Sequence, residues 1–394
     1  MNNNQGRLTL AVISLFLLLQ GAAVVSPTLQ SIQSIYPDIP YTTIMNVITL
    51  PCLFIIPFNL LAGVVAGKKV GYRTLAIVSM LLFLAAGTAP YFNGGFTFLM
   101  VSRAFVGIAL GLMYPLGNSL IVLLYAEEKR AGVMGLGTVA LNLGLMVLQN
   151  ASGILATISV KYLWLSHLLI VLPLLVVLLW LREPETDTAG AKQGAGGVIR
   201  EKEKTKMPAM VYIVALFIFM FIIFFMAYST GASAVIVGEG MGSSATVGLV
   251  MTVFGVAGMC IGFLYGKIFQ LAKGFTIYIG FLVSAAAFFI FARGSALIHY
   301  YIGSLILGVG FNIIYASLFM ALNSLTPPDK ISLSSAISIA ALNLGSVASP
   351  FYFKILARVT GNSTMRFALY ASMTGYLLMI VLHAFFGKKM AKKN

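Results

Sequence analysis

Charge is what this sequence has least of. Asp, Glu, Lys and Arg together make up 9% of it, and only ten residues are acidic. A water-facing globular domain carries roughly a quarter charged residues, so this chain cannot cover an aqueous surface. None of the acids falls in the middle of an apolar run, which leaves no buried carboxylate of the kind many proton-coupled carriers use. Cysteine is nearly absent. Cys52 and Cys260 both lie inside apolar runs, which excludes a disulfide framework. No G-x-x-x-x-G-K-[ST] loop is present to cradle nucleotide phosphates. No metal-ligand cluster and no nucleophile–base pair is visible, so neither a cofactor nor a catalytic residue is expected.

What the sequence has in abundance is long apolar runs. It is 60% hydrophobic, with a mean hydropathy of +0.98. Runs of about 20 residues match the length of a helix crossing a ~30 Å hydrocarbon core. Strands of a transmembrane barrel are far shorter, so an all-α polytopic membrane protein is expected. Twelve spans are read: 8–31, 43–66, 72–92, 97–124, 131–157, 163–182, 208–231, 244–266, 275–293, 298–323, 332–354 and 367–387. The first run is too long for the core of a signal peptide and continues into "SPTLQSIQSIYPDIP" without a clear cleavage site. Turn formers such as "YPDIP" and "PYFNGG" separate the spans. The one long hydrophilic stretch, 183–207, is rich in Gly, Ala and charge and reads as a linker. The expected domains are therefore 1–182, a six-helix bundle; 183–207, a cytoplasmic linker; and 208–394, a second six-helix bundle.

Most of the 25 Lys and Arg residues fall on one side when the N-terminus is placed inside, which predicts cytoplasmic termini in a plasma membrane. The net charge of +15 then faces the anionic inner leaflet and needs no nucleic-acid partner.

The pentapeptide "ALNLG" occurs at 140–144 and at 341–345, an offset of 201. Gly107 and Gly308, Tyr114 and Tyr315, and Asp38 and Glu239 keep that offset. "GVVAGK" at 63–68 and "GFLYGK" at 262–267 differ by 199. The halves read as two copies of one six-helix unit, inserted in the same orientation.

With these features the chain resembles the major facilitator superfamily over essentially its whole length. "GVVAGKKVGYR" (63–73) is similar to the family's G-x-x-x-D-R/K-x-G-R/K-R/K signature. Gly63, Lys68, Gly71 and Arg73 match with one inserted residue, and Gly67 or Lys68 stands where the acid should be. "SRAFVGIALG" (102–111) resembles the R-x-x-x-G motif through Arg103, Gly107 and Gly111. "GLGTVALNLGLMVLQNASG" (135–153) resembles the antiporter motif loosely, without its Gly-Pro pair. The resemblance implies two bundles rocking around a central cavity lined by spans 1, 4, 7 and 10, with alternating access and no enzyme activity.

Arg103 leads the candidate residues, because an Arg inside a span is costly and marks function by default. At helical spacing Arg103, Gly107, Gly111, Tyr114 and Asn118 form one stripe. Arg103 either binds an anionic group, or steadies a gate through backbone carbonyls, or packs as a structural Arg. The amides Gln20, Asn142, Asn312 and Asn343 either line the cavity or bond between helices. Tyr228, Phe254 and Tyr315 suit an amphipathic ligand. Gly258, Gly262 and Gly266 read as a helix-packing face. The candidates for ion coupling reduce to Asp38 and Glu239, or to His167, His299 and His383, for which packing is favoured. The expected function is secondary active transport of a small amphipathic organic solute by a monomer in the bilayer, as proton-coupled efflux. Uptake or exchange of an organic anion at Arg103 is the alternative. A membrane enzyme or receptor would need clustered acids or a folded extramembrane domain.

Overall fold

A computed structural model describes residues 3–184, 207–327 and 330–391. The expected linker lies outside the described residues from 185 to 206. Regular structure among the described residues is helical, apart from a single bridge between Ala66 and Val70.

In the first half, α1 runs as Asn3–Phe16, a 3-10 stretch Gly21–Thr28 and a short turn Leu29–Ile35; α2 as Tyr41–Ile44 and Asn46–Val65. Helices α3 (Tyr72–Thr88), α4 (Phe96–Leu124) and α5 (Glu127–Ile158) follow. Then α6 opens as 3-10 over Val160–Ile170 and continues as α-helix over Val171–Trp180. The second half holds α7 (Ala209–Ile236), α8 (Ser244–Ala272), α9 (Thr276–Arg293), α10 (Leu297–Leu325), α11 (Ile331–Thr360) and α12 (Met365–Ala391).

Ten of the described segments are long and apolar enough to cross a membrane, and eleven when the two parts of α1, bent by 55°, count as one. One of these is the 50-residue stretch Ser244–Arg293. At 1.5 Å per residue it would reach about 75 Å, more than twice the ~30 Å core. It is divided at a turn where Lys273 adopts φ 46°. Within it α8 and α9 are separate helices.

Contacts divide the chain into two compact units. One contains the helices from Asn3 to Trp180 except for Leu29–Gln33 and Ile39–Met45. The other contains those two stretches and the helices from Ala209 onward. Specific bonds hold the two stretches: Gln30 N–H to Ser233 Oγ at 3.1 Å, Ser31 Oγ to Ser244 Oγ at 2.7 Å, and Tyr41 O–H to the Thr230 carbonyl at 2.5 Å.

Within the first unit α2 and α3 pack on α4, α5 packs on α1, and α6 packs on both α1 and α3. Within the second, α8 and α9 pack on α10, α11 packs on α7, and α12 packs on both α7 and α9. Adding six to each label of the first set gives the second. Glycines keep the offset of 201 in the same contacts. Gly107 abuts Pro51 and Phe54 of α2, and Gly308 abuts Phe254 and Ala257 of α8. Gly144 lies on the Leu17 backbone of α1, and Gly345 on the Phe219 carbonyl of α7. Close backbone approach of this kind is what holds helices together in lipid, where apolar side chains gain nothing from leaving the tails.

Prolines inside spans free backbone carbonyls, and nearby side chains take them up. In the 3-10 stretch it is the Val24 carbonyl that Pro27 leaves without an amide, and Gln149 Nε2 donates one residue earlier, to the Ala23 carbonyl, at 3.0 Å. Pro350 does the same to Ser346, whose carbonyl accepts from Ser349 Oγ at 2.8 Å. Large apolar side chains such as Leu172, Leu179, Phe263 and Phe351 are exposed. Spread over long apolar helices, they suit hydrocarbon rather than water.

Candidate functional site

Arg103 on α4 is wholly buried, and none of its three guanidinium nitrogens has a hydrogen-bond partner. Its Cζ stands 5.0 Å from the Trp164 ring centroid. Trp164 and His167 belong to the 3-10 part of α6. Three residues per turn bring side chains three apart onto one face, so Trp164 and His167 project from the same side of α6. His167 Nδ1 contacts the Trp164 carbonyl at 3.1 Å. A carbonyl only accepts, so Nδ1 carries a proton. The buried Nε2 has no partner. The imidazole lies 5.5 Å from the Phe83 ring and occupies the space that a side chain at Gly87 would fill. Ser102 Oγ, bonded to the Ala86 carbonyl at 2.6 Å, fixes α4 on α3 beside this cluster.

The stripe expected along α4 has mixed surroundings. Gly107 and Gly111 abut Pro51, Phe54, Ile55 and Phe58 of α2. Tyr114 is half-buried and Asn118 is exposed. Arg103 therefore reaches toward α6, the glycines seat α4 on α2, and only the far end of the stripe is open.

Aromatic side chains gather on α7, α8 and α10. The Phe225 ring lies 4.4 Å from Phe311 and 5.5 Å from Phe254, and Phe254 lies 5.5 Å from Phe311. Along α10, Phe311, Tyr315 and Phe319 recur every fourth residue and stack, with centroids 6.1 and 4.4 Å apart. Phe225, Phe254, Phe311 and Phe319 are half-buried, and Tyr315 is 38% exposed. Neither α7 nor α10 contains Asp, Glu, Lys or Arg. Tyr228 is beneath this surface: it is 2% exposed and its hydroxyl meets Ser304 Oγ at 2.9 Å. The sequence pointed to Tyr228, Phe254 and Tyr315 but not to Phe225 and Phe311, which join them. The i, i+4 aromatic spacing on α10 was the available signal.

The amides divide. Asn142 and Asn343 each donate from Nδ2 to the carbonyl four residues back, Thr138 and Ile339, at 3.0 and 2.8 Å. Asn312 donates to Gly308 at 2.9 Å and fills the space over Gly258. Gln20, half-buried, lies at the break of α1. Of the glycines expected to pack α8, only Gly258 does so. A side chain at Gly262 or Gly266 would meet nothing within 4 Å, because both face outward. Gly63 is likewise open.

The loop between α2 and α3 explains its missing acid. Gly67 has φ +71° and sits against the Tyr72 ring. An L-residue there is strained, so the position suits Gly and disfavours Asp. Lys68 and Arg73 are exposed. The acid comes from elsewhere: Glu183, just after α6, accepts the N–H groups of Tyr72 at 2.5 Å and Arg73 at 2.8 Å, the first turn of α3. Gly71, the N-cap residue, leaves room for the carboxylate. Arg73 Nη2 returns a bond to the Leu178 carbonyl of α6 at 2.7 Å. Free amides and the helix dipole favour a carboxylate at a helix N-terminus. Glu183 was expected only as part of the linker.

Glu239 forms a two-pronged pair with Arg366, Nε–Oε1 at 2.7 Å and Nη2–Oε2 at 2.5 Å. Arg366 Nη1 also donates to the Ala292 carbonyl at 3.0 Å, so the ends of α7, α9 and α12 are tied together. Asp38 is exposed.

The profile of the Major Facilitator Superfamily matches residues 11–350. No curated protein matches the sequence. Among solved structures, the POT family transporter PepTSo is similar over 99% of both chains, with a TM-score of 0.76 at 10% identity. A peptide transporter POT is similar over 98% of this chain and 95% of its own, with a TM-score of 0.76 at 14% identity. A POT family transporter in complex with a thioalcohol conjugated peptide gives a TM-score of 0.72 at 11% identity, over 98% and 97% of the chains. Identities this low speak to the fold alone; the profile match, extending over most of the sequence, shows the family. The chain belongs to the Major Facilitator Superfamily, as a multi-pass membrane protein with the fold of a secondary transporter.

Proposed function

We propose that this transporter moves an amphipathic organic solute bearing an aromatic or other flat apolar part, and that it works as a proton-driven exporter of the plasma membrane with both termini cytoplasmic. The observation that carries this reading is the partly exposed aromatic surface of Phe225, Phe254, Phe311, Tyr315 and Phe319, on helices of which two carry no charge. Ring faces bind flat apolar groups by stacking, at about 0.5–1.5 kcal/mol per pair beyond area burial. They favour no anion. Tyr315 and Asn312 supply hydroxyl and amide groups beside the rings. Asp38, Glu239 and the aromatic and amide positions are the candidates for coupling and contact, and Arg103 for gating. The protein acts as a monomer by alternating access.

A second reading, uptake of an organic anion or peptide, draws on the unpaired Arg103 charge and on fold neighbours named as peptide transporters. Proteoliposomes separate the two. Filled with a panel of aromatic cations, neutral aromatics, organic anions and dipeptides, they are assayed with and without an imposed pH gradient. The proposal expects gradient-dependent movement of the aromatic solutes and a large loss in Tyr315→Ala. Gradient-driven accumulation of anions or dipeptides alone would refute it.

A further inference from the structure

Every span of a membrane protein can meet hydrocarbon. One edge of the first unit differs in carrying exposed cations, an indole and an apolar cavity on three neighbouring helices. At the start of α1, the Arg7 Cζ lies 6.0 Å from the ring centroid of Trp180, the last residue of α6. Arg182, two residues further, is exposed, as is Arg7. At the start of α5, Lys129 Nζ donates to Gln5 Oε1 of α1 at 3.4 Å. Three cations thus stand at the adjoining ends of α1, α5 and α6.

The chain does not neutralise them. Among the described residues the only ion pair is Arg366–Glu239. Of the carboxylates at this end, Glu183 caps α3. Glu127 and Glu128 occupy the first turn of α5, where free amides favour them. Arg130 is turned back onto the Tyr125 and Val122 carbonyls and is not available. Room is present as well. A side chain at Gly6 would meet nothing within 4 Å, and neither would one at Gly132, a turn beyond Lys129. The repeat does not demand these residues: at the offset of 201, Arg7 corresponds to Pro208 and Trp180 to Val381.

Further along the same edge, α5 and α6 leave a cavity of about 430 Å³ between Ala151, Ile154 and Leu155 on one side and Leu165, Leu168 and Leu172 on the other. The one hydroxyl lining it, Ser166 Oγ, is already bonded to the Leu163 carbonyl at 2.7 Å. Ile154, Leu168 and Leu172 are exposed, so the cavity opens sideways. Leu172, Leu175 and Leu179 recur at i, i+3 and i+7 and are all exposed, which extends one apolar face from the cavity to Trp180. From Leu172 to Arg182 the rise is about 15 Å, half of the ~30 Å hydrocarbon core. A lipid chain whose headgroup lies at Arg182 therefore ends at the cavity.

We propose that this edge binds one anionic phospholipid, with its phosphate on Arg7 and Arg182, Lys129 beside them, and one acyl chain along α6 into the cavity. Guanidinium forks match phosphate oxygens, and Trp180 holds Arg7 at headgroup level. A free phosphate would use the cations and leave the cavity unfilled. The site is separate from the aromatic surface and does not rest on the solute proposed for it. The topology proposed above decides only which leaflet supplies the lipid.

The chain has two tryptophans. Trp164 is buried and Trp180 half-buried, so Trp180 reports on the site and Trp180→Phe gives the background. The protein is reconstituted in phosphatidylcholine brominated near the glycerol end of one chain, which quenches Trp180. Unbrominated phosphatidylglycerol is then titrated in, against unbrominated phosphatidylcholine as control. Lipid in both leaflets reads the site whichever way the protein inserts. The expected result is recovery of Trp180 emission with a preference for phosphatidylglycerol of at least about fivefold, the worth of one basic side chain at an anionic surface. It should fall to near unity in Arg7→Gln/Arg182→Gln, whose exposed positions leave folding intact. Equal recovery by the two lipids would overturn the proposal, as would a preference unchanged in the double variant. Inorganic phosphate at constant ionic strength should leave the preference standing. If it abolishes the preference, the cations serve a free anion and the lipid site is refuted.

Discussion

Gly144 and Gly345 occupy the same place in the two copies of the repeat, and each tests whether backbone contact sets the fold. A Cβ on Gly144 would stand 2.7 Å from the Leu17 Cα, beside the break in α1. Ordinary contact begins near 3.4 Å, and the Leu17 carbonyl oxygen stands closer still, so α5 must retreat from α1 by more than about 0.7 Å. Neither side can relieve this by a rotamer change, because the obstacle is backbone. Overpacking of this kind costs ~1–3 kcal/mol, offset by up to ~1 kcal/mol from replacing Gly in a helix. A net loss of about 1–2 kcal/mol corresponds to a fall in Tm of roughly 2–8 °C for a unit of this size. Gly345→Ala meets the Phe219 carbonyl at 2.6 Å and Ile222 Cβ at 3.0 Å and should fall by a similar amount. Gly262→Ala, with nothing within 4 Å, keeps only the helix-propensity gain and should hold or rise. The assay is fluorescence-detected size-exclusion after heating in detergent. If Gly144→Ala proves as stable as Gly262→Ala, the close-approach reasoning is wrong.

Other positions give independent tests. Gly67→Asp, which restores the family's acid, should lower thermal stability, since φ +71° and the Tyr72 ring both oppose a side chain; unchanged stability would refute the strained-turn account. Glu183→Ala should cost about 0.5–2 kcal/mol, the usual worth of an N-cap, and a double-mutant cycle with Arg73→Ala should show coupling because both tie α3 to α6. Additive effects of the two would sink the reciprocal-latch reading. Glu239→Gln should lower the melting temperature while leaving the pH dependence of transport unchanged if the Arg366 pair is a clamp; a shifted pH profile would make Glu239 a coupling residue instead.

The fold was legible because it depends on period and length. Apolar runs near 20 residues named the spans, and the offset of 201 named the repeat. That offset reappears as matching helix neighbours and matching glycine contacts. What the sequence hid was where helices depart from regularity. Nothing in "LFLLLQGAAVV" announces a 55° bend in α1. Nor does "VKYLWLSHLLI" declare a 3-10 register. Both stretches stay apolar on average despite Gln20, Lys161, Ser166 and His167, so hydropathy is blind to the change of pitch.

The candidate site suffered from that blindness most. Helical spacing correctly grouped Arg103 with Gly107 and Gly111 on α4, but a side chain of four rotatable bonds need not share the surroundings of its neighbours. The glycines meet α2, whereas the guanidinium finds α6. Its contact there is Trp164, three residues before His167. On an α-helix such a pair diverges by about 60°; the 3-10 pitch aligns them. His167 read alone was a packing residue in a peripheral helix, and with α6 wound at three residues per turn it falls on the face of Trp164, packed against Phe83 and Gly87. The same reasoning separates Glu183 from the linker. A carboxylate just past a span has no assignable role until the first-turn amides of α3 are seen to need acceptors, and the bare Gly71 leaves the opening through which they are reached.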